Sequence, residues 1–137
     1  MRKFAVIGLG RFGATVAKAL AQRGAEVIAI DKDPQLVEKF KEVVTLAVTL
    51  DSTDEEALRS QGVDRVDVAI VSIGEFESSI LTTALLKKMG VPKVITRASH
   101  TASEIQEKIL TLVGADRVIL PEEEIGKKLA QSLIVSN

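Results

Sequence analysis

Short apolar runs alternate along this chain with longer segments whose apolar residues recur at helical spacing. Runs of the first kind predict buried strands, and segments of the second kind predict amphipathic helices. The predicted strands are residues 3–7, 26–30, 43–50, 66–73, 94–96 and 117–120. The predicted helices are residues 11–23, 34–42, 53–62, 77–89, 101–113 and 121–133.

This alternation predicts a doubly wound, Rossmann-like α/β fold. The run at 66–73 is continuous and apolar, as in a parallel strand that is covered on both faces. Right-handed crossovers between six parallel strands favour the strand order 3-2-1-4-5-6, with the last helix following the sixth strand. Residues 1–137 are therefore predicted to form one nucleotide-binding domain, with no segment left for a substrate domain.

Several predicted helices begin with capping residues. Asp33 is a predicted N-cap because Pro34, a residue favoured at the first helical position, follows it. Two further starts fit the capping box, in which a Ser or Thr is followed three residues later by Glu or Gln. These predicted boxes pair Thr53 with Glu56 and Thr101 with Glu104.

A glycine-rich motif stands between the first predicted strand and the first predicted helix. The motif reads Gly8-Leu9-Gly10-Arg11-Phe12-Gly13, and the strand and helix around it match the dinucleotide-binding fingerprint. The first glycine allows the tight turn, the second lets a pyrophosphate approach the backbone, and the third lets the helix lie close to the strand. The alternative is a structural glycine turn without a ligand.

Polar side chains follow several of the predicted strands, where this fold binds its ligands. The carboxyl ends of parallel strands meet at one edge, and the site lies near the switch between the first and fourth strands. The predicted cofactor-binding residues are Gly8, Leu9, Gly10, Arg11, Phe12, Gly13, Asp31, Lys32, Asp51, Ser52, Thr53, Ser72, Ile73, Gly74, Glu77 and Arg97.

Three charged residues in this set have specific predicted roles, each with a structural alternative. Asp31 ends the second strand and can accept hydrogen bonds from adenosine ribose hydroxyls, which disfavours NADP, although Lys32 weakens that argument. Asp51 can accept a hydrogen bond from the adenine amino group, or serve as a turn residue. Arg11 can fold over the phosphates, or lie in solvent.

Composition argues against most other classes of function. The 18 basic and 19 acidic residues give a net charge of -1, which favours neither nucleic acid nor an anionic membrane surface as a partner. Direct membrane insertion is not expected either. No apolar run reaches the roughly 18 residues of a membrane span, and the N-terminus does not resemble a signal peptide. With no Cys or Tyr and no Ser–His pair at a matching spacing, we expect no enzyme activity. The rival hypothesis is a small NAD-dependent oxidoreductase, or its isolated cofactor-binding half.

The lone histidine and the acidic start of the last helix are weaker candidates. His100 is expected in a surface loop, since no second metal-ligating residue accompanies it. Glu122, Glu123 and Glu124 follow Pro121, where the helix dipole favours negative charge. A metal-ligand role for one of these carboxylates is the alternative.

Several motifs together resemble the RCK domains, regulators of potassium conductance that are also called KTN or TrkA-N domains. The similarity covers almost the whole chain and is greatest to cytosolic regulatory subunits of Ktr-type potassium transporters. The residues that carry it are Ile7 through Gly13, the Asp31 turn, Asp51-Ser52-Thr53, Leu81-Thr82-Thr83, and the segment from Gly114-Ala115-Asp116-Arg117 to Pro121-Glu122.

The resemblance implies a regulatory subunit without catalysis. Such subunits form homodimers that assemble into an octameric ring on a membrane potassium pore, which implies a cytoplasmic protein held at the inner face of the membrane by its partner. ATP, ADP or NAD(H) binds at the glycine turn and changes the shape of the ring. By position, Arg11 matches a phosphate ligand, Asp31 a ribose ligand and Asp51 an adenine contact. Glu122 matches a residue that helps hold Mg²⁺ or Ca²⁺ near the nucleotide in some members.

Relatives often continue into a second ligand-binding domain, so this chain is expected to be either a single-domain form or a trimmed one. Its last helix places Ile125, Leu129 and Leu133 on one stripe. That stripe either covers the sheet or docks on a partner, and we expect the second, so that the protein is not a monomer.

Overall fold

A computed structural model describes residues 2–135 as six strands and the helices between and after them. The strands are β1 (Lys3–Ile7), β2 (Glu26–Asp31), β3 (Leu46–Thr49), β4 (Val68–Val71), β5 (Lys93–Arg97) and β6 (Arg117–Ile119). The α-helices are α1 (Arg11–Gln22), α2 (Pro34–Glu38), α3 (Glu55–Ser60), α4 (Phe76–Lys88), α5 (Glu104–Leu112) and α6 (Pro121–Val135). A short 3₁₀ helix, Val63–Arg65, follows α3.

The strands form one parallel sheet in the order β3-β2-β1-β4-β5-β6, which confirms the predicted fold class and strand order. The central strand is β1, where Val6 pairs with Ala29 of β2 on one side and Ile70 of β4 on the other. The order reverses beside β1, so the segments that follow β1 and β4 lead to helices on opposite faces of the sheet and leave a crevice between them.

Both faces of the sheet are buried, and alternate β1 side chains belong to different cores. Ala5 and Ile7 pack in the cluster that contains Leu86 of α4. Val6 packs in the cluster that contains Ala17 of α1. A smaller cluster centred on Leu110 closes the end of the sheet near β6. Coverage on both faces explains why the central strands are apolar throughout.

The third and fourth strands are shorter than predicted. Residues 43–45 are not part of β3, because the backbone N–H groups of Val43 and Val44 donate to the carbonyl of Phe40 in a turn. Val66 caps the 3₁₀ helix through a hydrogen bond from its N–H to the Val63 carbonyl, so β4 starts only at Val68. Local turns therefore compete successfully with the sheet for these apolar residues.

The predicted N-cap at Asp33 is confirmed, but the cap of α3 was predicted wrongly. Asp33 Oδ1 accepts a hydrogen bond from the N–H of Gln35 at 2.9 Å. Helix α3 is capped by Asp54, which accepts from the N–H of Ala57 at 3.1 Å, and not by Thr53. The hydroxyl of Thr53 donates instead to Asp51 at 2.7 Å, in the turn that precedes the helix.

The capping box of α5 also lies later than predicted. Ser103 accepts from the N–H of Gln106 at 3.2 Å, and the Gln106 side chain accepts from the N–H of Ser103 at 3.0 Å. Thr101 precedes this box and bonds to Ser99 in the loop. The predicted pair of Thr101 and Glu104 is thus replaced by a Ser–Gln pair two residues later in the chain.

Asp116 joins three segments near the amino end of β5. Its Oδ2 atom accepts hydrogen bonds from the N–H of Val94 at 2.7 Å and from Lys87 Nζ at 2.9 Å. The Val94 N–H, followed by the Lys87 ammonium group, lowers the pKa of the Asp116 carboxyl. The segment that starts at Gly114, which is part of the resemblance to RCK domains, therefore has a structural role in connecting β6, β5 and α4.

We predict that Asp116 makes stability depend on pH. A carboxyl whose pKa is lower in the folded state stabilises the fold above its unfolded pKa, which is about 3.9, and this contribution is lost as pH falls. In chemical unfolding at several pH values, Asp116→Asn should therefore be less stable than the wild type at pH 7. The difference should shrink between about pH 5 and pH 2. A parallel pH dependence of both proteins would contradict this, and Glu38→Gln on the exposed face of α2 is the control.

The contact between α1 and the first glycine turn gives a second prediction. A Cβ atom added to Gly13 would lie 1.8 Å from the carbonyl oxygen of Gly8, which is backbone and cannot move freely. Gly13→Ala should therefore destabilise the domain by about 1–3 kcal/mol or more in chemical unfolding. The matched control is Gly126→Ala in α6, where a Cβ meets no atom within 4 Å and stability should not fall. Equal stabilities would show that α1 can shift.

Candidate functional site: a cleft at the carboxyl ends of the strands

A cleft of about 380 Å³ opens where β1 to β5 end, at the position predicted for a nucleotide. The predicted site residues that line it are Gly8, Gly10, Asp31, Lys32, Asp51, Ser52, Ser72, Ile73, Gly74 and Arg97. A larger groove of about 580 Å³ lies between α5 and β6, but none of the predicted nucleotide ligands lines it. The structure thus gathers residues from five segments far apart in sequence.

The glycine loop forms one wall of this cleft. Gly8 has φ +99°, and a Cβ there would lie 2.0 Å from the carbonyl oxygen of Ser72. Gly10 has an ordinary φ of -71° and lines the cleft, yet a Cβ there would meet no atom within 4 Å. The fold therefore demands glycine at Gly8, whereas at Gly10 it leaves open space beside the N-terminus of α1.

The other motif residues support the loop without lining the cleft. Leu9 is 2% exposed and packs in the core cluster beneath α1, where Phe12 joins it. Gly13 sets the approach of the helix, as described above. Arg11 is exposed at the first position of α1, and its side chain is not among the cleft residues.

Asp31 fastens the glycine loop to the end of β2. Its Oδ2 atom accepts a hydrogen bond from the N–H of Leu9 at 2.8 Å, and Oδ1 accepts from the N–H of Asp33 at 2.9 Å. Each carboxylate oxygen can accept a further hydrogen bond, so these contacts leave capacity for ligand hydroxyls. The sequence argument missed this structural role, although the spacing between the motif and Asp31 pointed to the residue.

Asp51 is held as a charged turn residue at the edge of the cleft. Its Oδ1 atom accepts hydrogen bonds from the hydroxyl of Thr53 at 2.7 Å and from the N–H of Thr53 at 2.9 Å. The Thr53 hydroxyl contributes most to a lowered pKa of the Asp51 carboxyl, and the nearby charge of Lys32 acts in the same direction. The turn role, which was the structural alternative, is therefore present. Thr53 orients Asp51 and is not itself among the cleft residues.

Arg97 is the part-buried cation of the cleft. It ends β5, and its Nε donates to the hydroxyl of Ser72 at 3.1 Å. Within residues 2–135, none of the ion pairs closer than 4.0 Å includes Arg97. Its remaining N–H donors are suited to an anionic ligand, since a part-buried guanidinium is stabilised by a carboxylate or phosphate partner.

Six lining residues were not predicted as ligands, among them Ile7 at the end of β1. Ile30, Leu36 and Leu50 form an apolar wall near the ends of β2 and β3. Glu75 and Ser78 lie at the start of α4, where the Ser78 hydroxyl donates to the Glu75 carboxylate. Leu50 directly precedes Asp51 and Glu75 directly follows Gly74, so their positions at strand ends were the available signal. Glu77, which we predicted instead, is exposed and does not line the cleft.

The described residues do not assemble a metal centre around Glu122. In the part of the chain from 2 to 135, no group of three Asp, Glu or His side chains could hold a metal ion. Glu122 is exposed on the first turn of α6, while Glu124 accepts hydrogen bonds from the N–H of Leu120 and from Arg117. The Leu120 N–H contributes most to a lowered pKa of the Glu124 carboxyl. His100 is exposed in the loop before α5, as expected.

Comparison with known protein families identifies the family of this chain. The TrkA-N domain model matches residues 4–121, which include the whole cleft and every strand residue except Lys3. The chain belongs to the TrkA-N family. It is 41% identical over 137 residues to Ktr system potassium uptake protein C of Bacillus subtilis, and 40% identical to Ktr system potassium uptake protein A of the same organism. Both alignments include 99% of this chain, but they span only 61% of protein C and 60% of protein A.

Solved structures show the same fold in other proteins. The TrkA-N domain of the inner membrane protein ybaL from Escherichia coli superimposes with a TM-score of 0.83 at 20% identity, covering 96% of both chains. The GsuK channel bound to NAD superimposes with a TM-score of 0.75 at 24% identity, covering 97% of this chain and 23% of that one. No helix among residues 2–135 is long and apolar enough to cross a lipid bilayer.

We predict that Asp31 keeps the glycine loop ordered even when no ligand is bound. Asp31→Ala removes the acceptor for the N–H of Leu9, a charge-assisted bond worth roughly 1.5–3 kcal/mol. Amide hydrogen exchange of Leu9 should therefore accelerate in the ligand-free variant, by about tenfold for each 1.4 kcal/mol lost. Asp33→Ala, which removes only the cap of α2, is the control. Unchanged exchange at Leu9 would show that the loop is held by its glycines alone.

Proposed function

We propose that this chain is the nucleotide-sensing domain of a regulatory subunit of a potassium transport system. The observation that carries the proposal is Gly10, which leaves open space in the cleft beside the N-terminus of a helix, although the fold itself does not require glycine there. The identity to Ktr potassium uptake proteins supports the transport role, while the cleft supports the ligand.

The diphosphate of an adenine nucleotide is proposed to lie at the glycine loop. The first N–H groups of α1 lack helical partners and carry the positive end of the helix dipole, which favours a phosphate. Leu9, Phe12 and Gly13 hold this loop from behind. Arg11 stands outside the cleft at the first turn of α1, from where its long side chain can fold over bound phosphates.

The adenosine is proposed to lie between the ends of β2 and β3. Asp31 accepts hydrogen bonds from the ribose hydroxyls, and its charge disfavours a 2′-phosphate, an effect that neighbouring Lys32 reduces. Asp51 accepts a hydrogen bond from the adenine amino group. The turn that contains Ser52 and Thr53 holds the Asp51 carboxylate in place. The wall formed by Ile30, Leu36 and Leu50 covers the apolar face of the base.

The opposite half of the cleft is proposed to take whatever follows the diphosphate. Ser72, Ile73 and Gly74 end β4 there, and Arg97 offers its remaining donors to phosphate oxygens. We propose that Mg²⁺ or Ca²⁺ binds together with the nucleotide, because the described residues form no metal centre of their own. Glu122 and Glu77 lie outside the cleft and are proposed to contact the metal or the nucleotide from there. Such a site supports binding rather than catalysis, so we propose that the protein is not an enzyme.

The regulatory output is proposed to be a change of assembly shape. Ile125, Leu129 and Leu133 on α6 are 63%, 58% and 66% exposed, so this stripe does not cover the sheet of its own chain. We propose that it docks on a second copy, in a dimer that assembles further into an octameric ring on a pore subunit at the cytoplasmic face of the membrane. A nucleotide drives such a change only if it binds one arrangement better than another.

Ligand binding to the wild type and to Gly10→Val tests the proposed site. At a ligand concentration of 100 times Kd, binding to the folded state adds about 2.7 kcal/mol of stability, so ATP, ADP or NAD should raise Tm of the wild type clearly. Gly10→Val should fold with nearly the same Tm as the wild type and show no shift with any of these ligands, because its side chain fills the open space. Gly126→Ala should respond like the wild type. A wild type whose Tm does not shift with any of these ligands would contradict the proposal.

A further inference from the structure

Helix α4 directs hydroxyl groups toward the sheet. Ser79, Thr82 and Thr83 are 3%, 0% and 0% exposed, at positions where a helix in a doubly wound fold usually presents apolar side chains. Burying a hydroxyl is unfavourable unless it is hydrogen-bonded, and threonine is a poorer helix former than leucine or alanine. These residues therefore need a reason beyond packing.

Two of the hydroxyls bind the segments that follow β3 and β4. Thr82 Oγ1 lies 2.8 Å from the hydroxyl oxygen of Ser52, and 3.3 Å from the Ser52 carbonyl oxygen. Ser79 Oγ donates to the carbonyl of Ile73 at 3.2 Å. Ser52 and Ile73 both line the cleft, so each bond ends on a wall of the nucleotide site.

The third hydroxyl binds β5. Thr83 Oγ1 lies 2.8 Å from Thr96 Oγ1, and both side chains are fully buried. Thr96 directly precedes Arg97, the part-buried cation of the cleft. One helix is thus hydrogen-bonded to three of the strand ends that enclose the cleft, through neighbouring side chains on a single face.

We propose that Ser79, Thr82 and Thr83 are positioning residues for the nucleotide, acting through the strand ends to which they bind. The inference rests on the proposed function and assigns each hydroxyl a separate part of the site. Thr82 sets the base-binding turn at 51–53, Thr83 sets Arg97, and Ser79 sets the junction after β4. A buried network whose members all have partners specifies one arrangement, so the cleft is organised before the ligand arrives.

Paired variants separate positioning from general stability. Thr82→Val and Thr83→Val each remove one buried hydroxyl from the same helix and keep the side-chain shape, and neither residue lines the cleft. If a single variant fails to fold, the matched double variants Ser52→Ala/Thr82→Val and Thr83→Val/Thr96→Val leave no hydroxyl without a partner. Binding of adenosine and of ADP is measured by calorimetry at a temperature where circular dichroism shows every variant to be fully folded.

The two variants should differ in which ligand they affect. Thr82→Val should weaken adenosine and ADP by the same factor, about fivefold for one net hydrogen bond. Thr83→Val should leave adenosine unchanged and weaken ADP, because its effect reaches the ligand through Arg97. Equal losses for both ligands in both variants, or no loss in either, would overturn the proposal.

The inference can fail separately from the proposed function. If the wild type binds neither adenosine nor ADP, the proposed function fails, and amide hydrogen exchange then tests the positioning role alone. The N–H groups of Thr53 and Asp54 donate to Asp51 within the base-binding turn. Thr82→Val should accelerate their exchange and Thr83→Val should not, whereas equal exchange in the two variants would overturn the inference.

Discussion

The close approach of three backbone segments determines the rest of this structure. Gly8 lies against the carbonyl of Ser72 at the end of β4, and Gly13 of α1 lies against the carbonyl of Gly8. No side chain separates β1, α1 and β4 at this point. The first turn of α1 is therefore held directly above the sheet edge, with its N–H groups beside the cleft. Because these backbones are in contact, the glycine loop, the strand ends and the positive end of the α1 dipole all face the same cleft.

Asp31 links the architecture of the site to its chemistry. The same carboxylate accepts a hydrogen bond from the N–H of Leu9, which holds the loop, and lines the cleft, where it is proposed to bind the ribose hydroxyls. Evolution of ligand preference at this position is therefore constrained by the loop, since a substitution that altered the ligand contact would also remove an anchor. On the opposite side, Arg97 has a smaller structural role, because the contact that holds it is a hydrogen bond from its Nε to a neutral group, the hydroxyl of Ser72.

The sequence predicted the sheet and most of the cleft because both follow from repeated patterns. Apolar runs and helical spacing predict alternating strands and helices, and right-handed crossovers then favour one strand order. In that order, the strand ends bring Asp31, Asp51 and Ser72 together. The errors arise where two local solutions compete. Thr53 and Asp54 both carry a capping oxygen, and the turn at Asp51 decides between them. Likewise, the spacing of apolar residues on α6 is the same whether the stripe packs on its own sheet or on another molecule.

Helix α6 has 15 residues and no buried side chain, and this has a consequence for assembly. Isolated helices of up to about 12–15 residues are marginal in water, because little but backbone hydrogen bonding offsets the loss of chain entropy. In the proposed dimer, the surface of the second copy that covers α6 would therefore supply the free energy that keeps it helical. Its helix content is linked by mass action to the concentration of that partner. Dilution of the proposed dimer would dissociate it and unwind α6 in a single coupled equilibrium, while the six-stranded sheet stays folded.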